Sequence, residues 1–379
     1  MKLIQEGLVK IKLPSFPSLP SKKMPVFYNP CMESNRNLSL LFLNSLPNKK
    51  MRLALPLAGS GIRGLRFLKE LKKNKIAFLY FNDLKKTSVD NIITNLKLNG
   101  FSDFTFPSSL NKPSSAKIKV FHQDANLFLL QSFGFDYLDL DPFGSPLPFL
   151  NNALLSLSKK GFLALTSTDT AALTGTYPKK TKRKYWATPL KNYLMHEIGL
   201  RILIRKVQLI ATQFGKALFP LLSYHKDYYY RLYFSLEKSK NACHQIIKQH
   251  QYFLFCPHCL NFEISPFNSG ICSCHHSFRF AGPLWTGPLF DKKLLSRMLK
   301  QNPFPSEKKF LQLLKEEKNL VGFHDLHQIA HKYKLTPPKI NSLLTKLNAS
   351  RTHFSSTGIK TEKKISEIIK IIRRNLQKK

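Results

Sequence analysis

The stretch Leu138-Asp139-Leu140-Asp141-Pro142-Phe143-Gly144-Ser145-Pro146 combines a buried strand with the turn that ends it. The apolar residues before Asp141 predict the strand, and Pro142 and Gly144 predict its abrupt end. In an open α/β sheet, ligands and chemistry lie at the carboxyl ends of the strands. A carboxylate at Asp141, beside an aromatic face at Phe143, suits a flat ring that carries an amino group. An Asp-Pro pair alone is also typical of an ordinary strand-to-helix turn.

Strands and helices alternate on both sides of this stretch. Five strands are predicted, at 52–57, 76–81, 118–121, 135–140 and 161–166. This alternation is typical of an α/β fold, a doubly wound and mostly parallel sheet. A long helix is predicted to begin at Thr188-Pro189, with proline in its first turn. A last strand over 228–236 closes the predicted first domain, 1–238, and leaves 239–379 as a smaller, basic α+β domain.

A glycine-rich turn, Gly59-Ser60-Gly61-Ile62-Arg63-Gly64, follows the first predicted strand. Glycines such as Gly61 let a ligand approach the backbone, and Arg63 and Arg66 add groups that hold a carboxylate. Asp83 lies about 20 positions further on at a strand end, where it is placed to accept both hydroxyls of a ribose. Asp124 is placed to touch an adenine amino group or, equally, to cap the helix that follows it. These positions predict a cofactor that contains a nucleoside.

The charge of the chain points to a polyanionic partner. Its 379 residues carry 60 Lys and Arg against 22 Asp and Glu, a formal net charge of +38. Nucleic acid is the commonest partner of such a chain, although a lysine-rich proteome or a membrane-surface protein shows the same excess. A 43% apolar content excludes a disordered tail protein. No apolar run reaches the roughly 18 residues of a membrane span, and the N-terminus lacks a signal-peptide core, so a cytoplasmic protein with no membrane partner is expected.

Three further segments bear on organisation and binding. Prolines at 14, 17, 20, 25 and 30 predict an N-terminal segment that wraps over the first domain in extended form. Residues 177–186 interleave basic and aromatic side chains, a pattern typical of RNA contact but also of a solvated basic loop. Residues 359–379 predict a basic, apolar-periodic helix suited to tracking phosphates.

Four cysteines crowd into a short segment: Cys256 and Cys259, then Cys272 and Cys274. Two close thiolate pairs separated by twelve residues predict a tetrahedral zinc knuckle, in which the metal replaces a core too small to hold itself. The second pair is tighter than the usual Cys-x-x-Cys, so His275 is a rival fourth ligand. Four reduced free thiols are the alternative interpretation.

Eight segments, in chain order, resemble those of the tRNA (guanine-26-N2)-dimethyltransferase family. They are Pro25-Val26-Phe27-Tyr28-Asn29-Pro30, Ser60-Gly61-Ile62-Arg63-Gly64-Leu65-Arg66-Phe67, Asp139-Leu140-Asp141-Pro142-Phe143-Gly144-Ser145-Pro146, Thr168-Asp169, Arg183-Lys184-Tyr185, His196-Glu197-Ile198-Gly199-Leu200-Arg201-Ile202-Leu203, Gly282-Pro283-Leu284-Trp285 and Ser350-Arg351-Thr352-His353-Phe354. The resemblance runs from the N-terminal segment almost to the C-terminus.

The resemblance implies a class I (Rossmann-like) methyltransferase domain that uses S-adenosylmethionine, followed by a family-specific C-terminal domain. It implies methyl transfer to the exocyclic N2 of a guanine in tRNA, with tRNA as the partner and no obligate protein partner. By the same resemblance, Asp141 is catalytic and the paired cysteines form the zinc cluster of many members. The cofactor is held by Arg36, Arg66, Asp83, Asp124 and Ala125.

Two other functions fit parts of the pattern. A methyltransferase acting on an adenine or cytosine amino group shares the Asp141 turn but does not account for the matches at 183–203 and 350–354. A non-catalytic, zinc-containing RNA-binding protein is favoured by one residue, Leu55, because the family usually has an aspartate there.

In the predicted reaction, Asp141 accepts a hydrogen bond and then a proton from the guanine, and Phe143 stacks on the base.

Overall fold

A computed structural model of the chain describes residues 2–14, 24–106 and 116–376. The part of the predicted wrapping segment at 15–23 lies outside the described residues. The strands are β1 (Lys2–Glu6), β2 (Val9–Leu13), β3 (Met51–Leu55), β4 (Ile76–Asp83), β5 (Phe104–Thr105), β6 (Ile118–His122), β7 (Phe135–Leu140), β8 (Leu157–Ser167), β9 (Lys216–Lys226), β10 (Tyr229–Lys238), β11 (His250–Phe255), β12 (Phe262–Ser265), β13 (Arg279–Trp285), β14 (His324–Asp325), β15 (Ser350–Thr352) and β16 (Ser355–Lys360).

The helices include short and long elements in about equal number. They are α1 (Glu33–Ser45), α2 (Ile62–Glu70), α3 (Lys86–Leu98), α4 (Ala125–Leu130), α5 (Leu150–Ser156), α6 (Thr170–Leu173), α7 (Pro178–Tyr185), α8 (Met195–Thr212), α9 (Lys240–Lys248), α10 (Lys292–Lys300), α11 (Pro305–Glu316), α12 (Leu326–Tyr333), α13 (Asn341–Leu344) and α14 (Ile365–Leu376). None of the helices in the described ranges is long and apolar enough to cross a bilayer.

The chain packs into two compact units. The first contains residues 1–168, 231–238 and 296–308, and the second contains residues 169–230, 239–295 and 309–379. Residues 169–230 thus belong with the C-terminal part by their packing. The domain boundary near residue 238, which rests on the sequence pattern, stays a prediction.

The first unit is built on the predicted doubly wound sheet. Its strand order is β5-β6-β4-β3-β7-β8-β10, and the strands from β5 to β8 run parallel. The chain moves from β3 outward to β4 and β6, then returns to β7 on the other side of β3. The strand order therefore reverses between β3 and β7, and ligands of such sheets bind in the crevice outside the carboxyl ends at this point. The α/β fold class is confirmed.

The N-terminal residues form a β-hairpin that the sequence reasoning missed. Strands β1 and β2 pair antiparallel, with Glu6 opposite Val9 and Gly7 in the turn at φ 56°. Side chains alternate along β2, where Val9, Ile11 and Leu13 are buried and Lys10 and Lys12 are exposed. This two-residue period was the available signal for a half-buried strand.

The second unit contains two small antiparallel sheets, β12-β11-β13 and β14-β16-β15. The prediction of a helix start at Thr188-Pro189 is wrong, because α8 begins at Met195. Thr188 exchanges two backbone hydrogen bonds with Gly282, both 2.8 Å, and this bridge keeps the chain extended before the helix. The predicted C-terminal helix is also shorter than expected, since its first residues complete β16 and α14 begins at Ile365.

Candidate active site and metal centre

A pocket of the first unit opens at the point where the strand order reverses. Its walls come from the residues after β3, the end of β7 and the N-terminal segment, and it has about 480 Å³ of empty space including its open mouth. The lining residues are Phe27, Tyr28, Asn29, Arg36, Leu55, Leu57, Ala58, Gly59, Ser60, Ile62, Arg63, Asp139 and Asp141.

The Asp141 carboxylate lies on this pocket and pairs with Arg63. The Arg63 Nη2 donates to Asp141 Oδ2 at 2.5 Å, and a second bond from Nη2 reaches Asn35 Oδ1 at 2.9 Å. Arg63 Nη1 donates to Ser39 Oγ at 2.8 Å. Arg63 is thus fixed by α1 and holds one oxygen of Asp141, while Asp141 Oδ1 has no hydrogen-bond partner among the described residues. The sequence reasoning noted Arg63 but did not connect it to Asp141.

A chain of buried ion pairs connects Arg63 to residues in the interior of the first unit. Arg231 of β10 donates two hydrogen bonds to Asp139, at 2.8 and 2.7 Å, and Asp139 lies 3.5 Å from Arg63. Asp139 and Arg231 have side chains that are fully buried. Burial by itself raises the pKa of Asp139, but the guanidinium groups of Arg231 and Arg63 outweigh burial and hold the pKa below its usual value. Positive and negative charges thus alternate and balance along the chain Arg231, Asp139, Arg63 and Asp141.

The turn after β7 presents the predicted aromatic face. Phe143 is 38% exposed and meets Phe27 edge-on, with ring centroids 4.2 Å apart. Gly144 takes a φ of 84°, and its N–H donates to Thr168 Oγ1 at 2.8 Å while its carbonyl accepts from Thr168 N at 2.9 Å. Thr168 therefore clamps the turn and fixes Phe143 near the pocket mouth. Phe27, which the resemblance included but gave no role, lines the same pocket as Asp141.

Arg36 and Arg66, two of the predicted cofactor residues, converge on a buried carboxylate. Arg36 makes a bidentate pair with Glu6, at 2.6 and 2.5 Å, and Arg66 donates to Glu6 Oε1 at 3.0 Å. Arg66 also pairs with Glu70 through two bonds of 2.8 Å. Arg36 still lines the pocket, whereas Arg66 is outside its lining. A cofactor role for both stays a prediction, and their visible role is to anchor the N-terminal hairpin.

The other predicted cofactor positions lie around the carboxyl ends of β3, β4 and β6. Asp83 accepts hydrogen bonds from Gly59 N at 2.8 Å and Lys85 N at 2.9 Å, and each of its oxygens keeps a second lone pair. Asp124 caps α4 through bonds from the N–H groups of residues 126 and 127, which confirms the capping interpretation. Gly61 is the N-cap of α2 at φ 78°, where a side chain would meet Ile92. Contacts of these residues and of buried Ala125 with a cofactor stay predictions.

The pocket has the features that a nucleoside cofactor requires. Ser60 Oγ is buried on its wall without a hydrogen-bond partner among the described residues. Gly59 adopts a φ of 55°, and a Cβ there would lie 3.1 Å from the carbonyl oxygen of Phe27, so a side chain would crowd the site. Leu55, which stands where the family usually has an acid, is a buried part of the same wall. The residues therefore fit S-adenosylmethionine.

The four knuckle cysteines come together in the second unit. Their sulfur atoms all lie within 4.8 Å of one another, with Cys256 Sγ 3.5 Å from Cys274 Sγ and Cys259 Sγ 3.4 Å from Cys272 Sγ. A tetrahedral zinc with bonds of about 2.3 Å to sulfur requires spacings near these values. His275 is outside this group. It adopts a φ of 63° directly after the second cysteine of its pair, as Leu260 does after Cys259. His275 thus acts as the turn residue, and the cysteines fit zinc.

Replacing Cys256 with serine is expected to remove zinc from the protein and to lower its thermal stability. A buried thiolate ligand is lost, and metal binding in such small sites contributes folding free energy directly. Metal analysis should fall from about one zinc per chain to near zero. Cys31→Ser, a change at an exposed free thiol, is the matched control and should keep the zinc. Full zinc content in Cys256→Ser would contradict the assignment.

The basic segment 177–186 is a helix, α7, with exposed aromatic residues at both ends. Tyr177 is 56% and Trp186 54% exposed, whereas Tyr185 is buried. Asp169 anchors the helix by accepting from Lys180 at 3.0 Å and Lys184 at 3.1 Å. The interpretation as a loop is therefore wrong, and RNA contact stays a prediction.

Comparison with known proteins covers nearly the whole chain. A family model described as N2,N2-dimethylguanosine tRNA methyltransferase matches residues 7–373. The tRNA (guanine(26)-N(2)/guanine(27)-N(2))-dimethyltransferase of Aquifex aeolicus is 38% identical, over 98% of this chain and 95% of its own length. The tRNA (guanine(26)-N(2))-dimethyltransferase of Methanocaldococcus jannaschii is 35% identical, over 98% of both chains.

A solved structure agrees with these sequence relatives. Trm1 from Pyrococcus horikoshii, solved as a complex with S-adenosyl-L-methionine, superposes with a TM-score of 0.87 at 31% identity and covers 98% of this chain and 100% of its own. Its fold and the family match extend over both units described above. The chain belongs to the N2,N2-dimethylguanosine tRNA methyltransferase family.

Proposed function

We propose that this protein transfers methyl groups from S-adenosylmethionine to the exocyclic N2 of a guanine in tRNA, at position 26. The observation that carries the proposal is the Asp141 carboxylate, held by Arg63 at the reversal point of the sheet and flanked by an aromatic pair. Relatives that match nearly the full chain are named for this reaction. The family membership and the pocket chemistry thus support the same activity.

The cofactor fits the pocket between β3 and β7. Ser60 and the backbone at Gly59 offer polar contacts, and Leu55 and Leu57 offer an apolar wall. Asp83 lies outside the lining, hydrogen-bonded to Gly59 N, and offers acceptors for ribose hydroxyls. When bound, S-adenosylmethionine supplies an electrophilic methyl group on a positively charged sulfur. The protein's own contribution is to place the acceptor amine in line with that methyl group and to exclude water.

Asp141 acts on the acceptor. The N2 lone pair of guanine is delocalised into the ring and is therefore a poor nucleophile. A carboxylate that accepts a hydrogen bond from the N1/N2 edge increases the amine character of N2 and can take up the proton released as the C–N bond forms. Arg63 binds one oxygen of Asp141, so it orients the carboxylate for this task.

Phe143 and Phe27 provide a face for the target base. A guanine inside the tRNA stack cannot reach the pocket, so it must turn outward, and aromatic side chains compensate for the lost stacking. The net charge of +38 favours approach of the polyanionic substrate. The predicted compartment, the cytoplasm, and the expectation of no obligate protein partner stay predictions.

Incubation of unmodified tRNA with the protein and S-adenosylmethionine is expected to produce N2-methyl- and N2,N2-dimethylguanosine. Mass analysis of the nucleosides identifies the product, and fragment mapping identifies the position. Methylation at position 27 as well would place the protein with its Aquifex relative, which is named for both positions. Methyladenosine or methylcytidine alone would overturn the choice of base. Tight tRNA binding without any methylation would favour the non-catalytic RNA-binding protein.

A further inference from the structure

A second cavity lies within the second unit, beside the zinc knuckle. It has about 860 Å³ of empty space including its open mouth. Part of its lining is the knuckle, with Asn261 and Ser273, and another part is α14 from Ile365 to Arg373 with the residue before the helix. Tyr333, at the end of α12, completes the lining. Neither the family match nor the proposed chemistry assigns this cavity a role.

The cavity is lined by two cationic side chains and by two of the zinc-ligand cysteines, Cys259 and Cys274. Lys364 and Arg373 line it, and no carboxylate is among its lining residues. Neither cationic side chain has a hydrogen bond or ion pair with any residue that the structure describes. The nearby Glu367 pairs with Lys363 at 3.1 Å, outside the lining. Two cationic side chains without a directly bonded carboxylate favour an anionic ligand, and a guanidinium is suited to a phosphate.

The rest of the lining suits more than a bare phosphate. Ile365 and Ile369 add apolar surface, and Ser273, Ser366 and Asn261 add hydrogen-bonding groups. Tyr333 is fixed by the bond from its hydroxyl to the carbonyl of Cys259 at 3.0 Å, so its ring is held as part of the wall. Apolar surface together with hydrogen-bonding groups suits a sugar or base attached to the phosphate.

We propose that this cavity holds one nucleotide of the tRNA substrate, with its phosphate on Lys364 and Arg373. The inference rests on the proposed function for the identity of the nucleic acid. The proposed contact with tRNA involves residues that are distant in the sequence from those of the Asp141 pocket. The rival explanation is electrostatic, because a zinc bound by four thiolates carries two negative charges that the same cations would neutralise. The two explanations predict different effects of losing Arg373: weaker tRNA binding in the first case and loss of zinc in the second.

The test compares Arg373→Gln with Arg374→Gln in the full-length, zinc-loaded protein. Arg374 is the next residue of α14 and is also exposed, but it lies outside the cavity lining. Binding of tRNA is followed by fluorescence anisotropy over a range of salt concentrations, and zinc is measured in the same samples. We expect Arg373→Gln to weaken binding about tenfold and to lower the slope of log Kd against log salt by about 1. Arg374→Gln should change the affinity less than about twofold.

Each outcome decides for or against the cavity. Equal losses in both variants would show only a diffuse basic surface and would overturn the proposal, as would unchanged affinity in Arg373→Gln. Loss of zinc with unchanged tRNA affinity would support the electrostatic explanation instead. If millimolar inorganic phosphate competes with tRNA, but tRNA binds the two variants with equal affinity, the cavity is a site for free phosphate only. The binding measurement does not depend on methylation. If tRNA affinity depends on Arg373 but the protein never methylates tRNA, the proposed function is overturned and the cavity proposal is kept.

Discussion

Asp141→Asn is expected to lower kcat/KM for tRNA methylation by about 10²- to 10⁴-fold, the usual contribution of a positioned general base. Asparagine keeps the shape of the side chain but cannot take up a proton. It also leaves Arg63 without the carboxylate that it holds at 2.5 Å. Binding of tRNA and of S-adenosylhomocysteine should persist, because asparagine fills the same space on the pocket wall and the basic residues of the chain are unchanged. Single-turnover methylation with radiolabelled cofactor measures the effect.

Asp136→Asn is the matched control for this prediction. Asp136 lies near the start of the same strand and accepts from Arg52 N at 2.9 Å and Ser158 Oγ at 3.1 Å. It undergoes the same chemical change far from the pocket, so methylation should stay close to that of the unchanged protein. Near-normal methylation by Asp141→Asn would show that another group accepts the proton.

Asp139→Ala is expected to destabilise the first unit by about 3–5 kcal/mol, because it leaves the fully buried Arg231 without its charge partner. Arg231 loses two hydrogen bonds, at 2.8 and 2.7 Å, and Arg63 loses its second carboxylate. Urea unfolding followed by circular dichroism measures the difference. The matched control is Asp90→Ala, which breaks a highly exposed pair with Lys86 at 3.8 Å and should cost about 0–0.5 kcal/mol. Equal costs would show that the buried chain does not hold the unit together.

The same ion-pair chain predicts that the stability of the folded protein falls at acidic pH. The pKa of Asp139 is lowered in the folded protein, so its contribution to stability is fully present above the unfolded value of about 3.9. That contribution is lost as the pH falls from the unfolded value through the lower folded pKa. Unfolding measurements at decreasing pH should therefore show less acid sensitivity in Asp139→Ala than in the unchanged protein.

The sequence by itself determined the features that depend on neighbouring residues. Apolar runs ended by turn residues located β3, β4, β6, β7 and β8, and their alternation with helices implied the parallel sheet. Because the carboxyl ends of such strands share one edge, the position of Asp141 on a pocket followed as well. The four cysteines are close in the chain, so their meeting required little more than two tight turns.

Only the tertiary structure decided which charged groups pair. Arg231 reaches Asp139 across 92 residues, and Arg66 reaches Glu6 across 60. Such partners come together through the order of strands in the sheet and the docking of the hairpin, which no local pattern encodes. The arginines assigned to the cofactor by resemblance were found on Glu6 for this reason. The start of α8 likewise depends on a bridge between Thr188 and Gly282. Periodicity is a short-range signal, whereas ion pairs and cavity walls depend on the path of the whole chain.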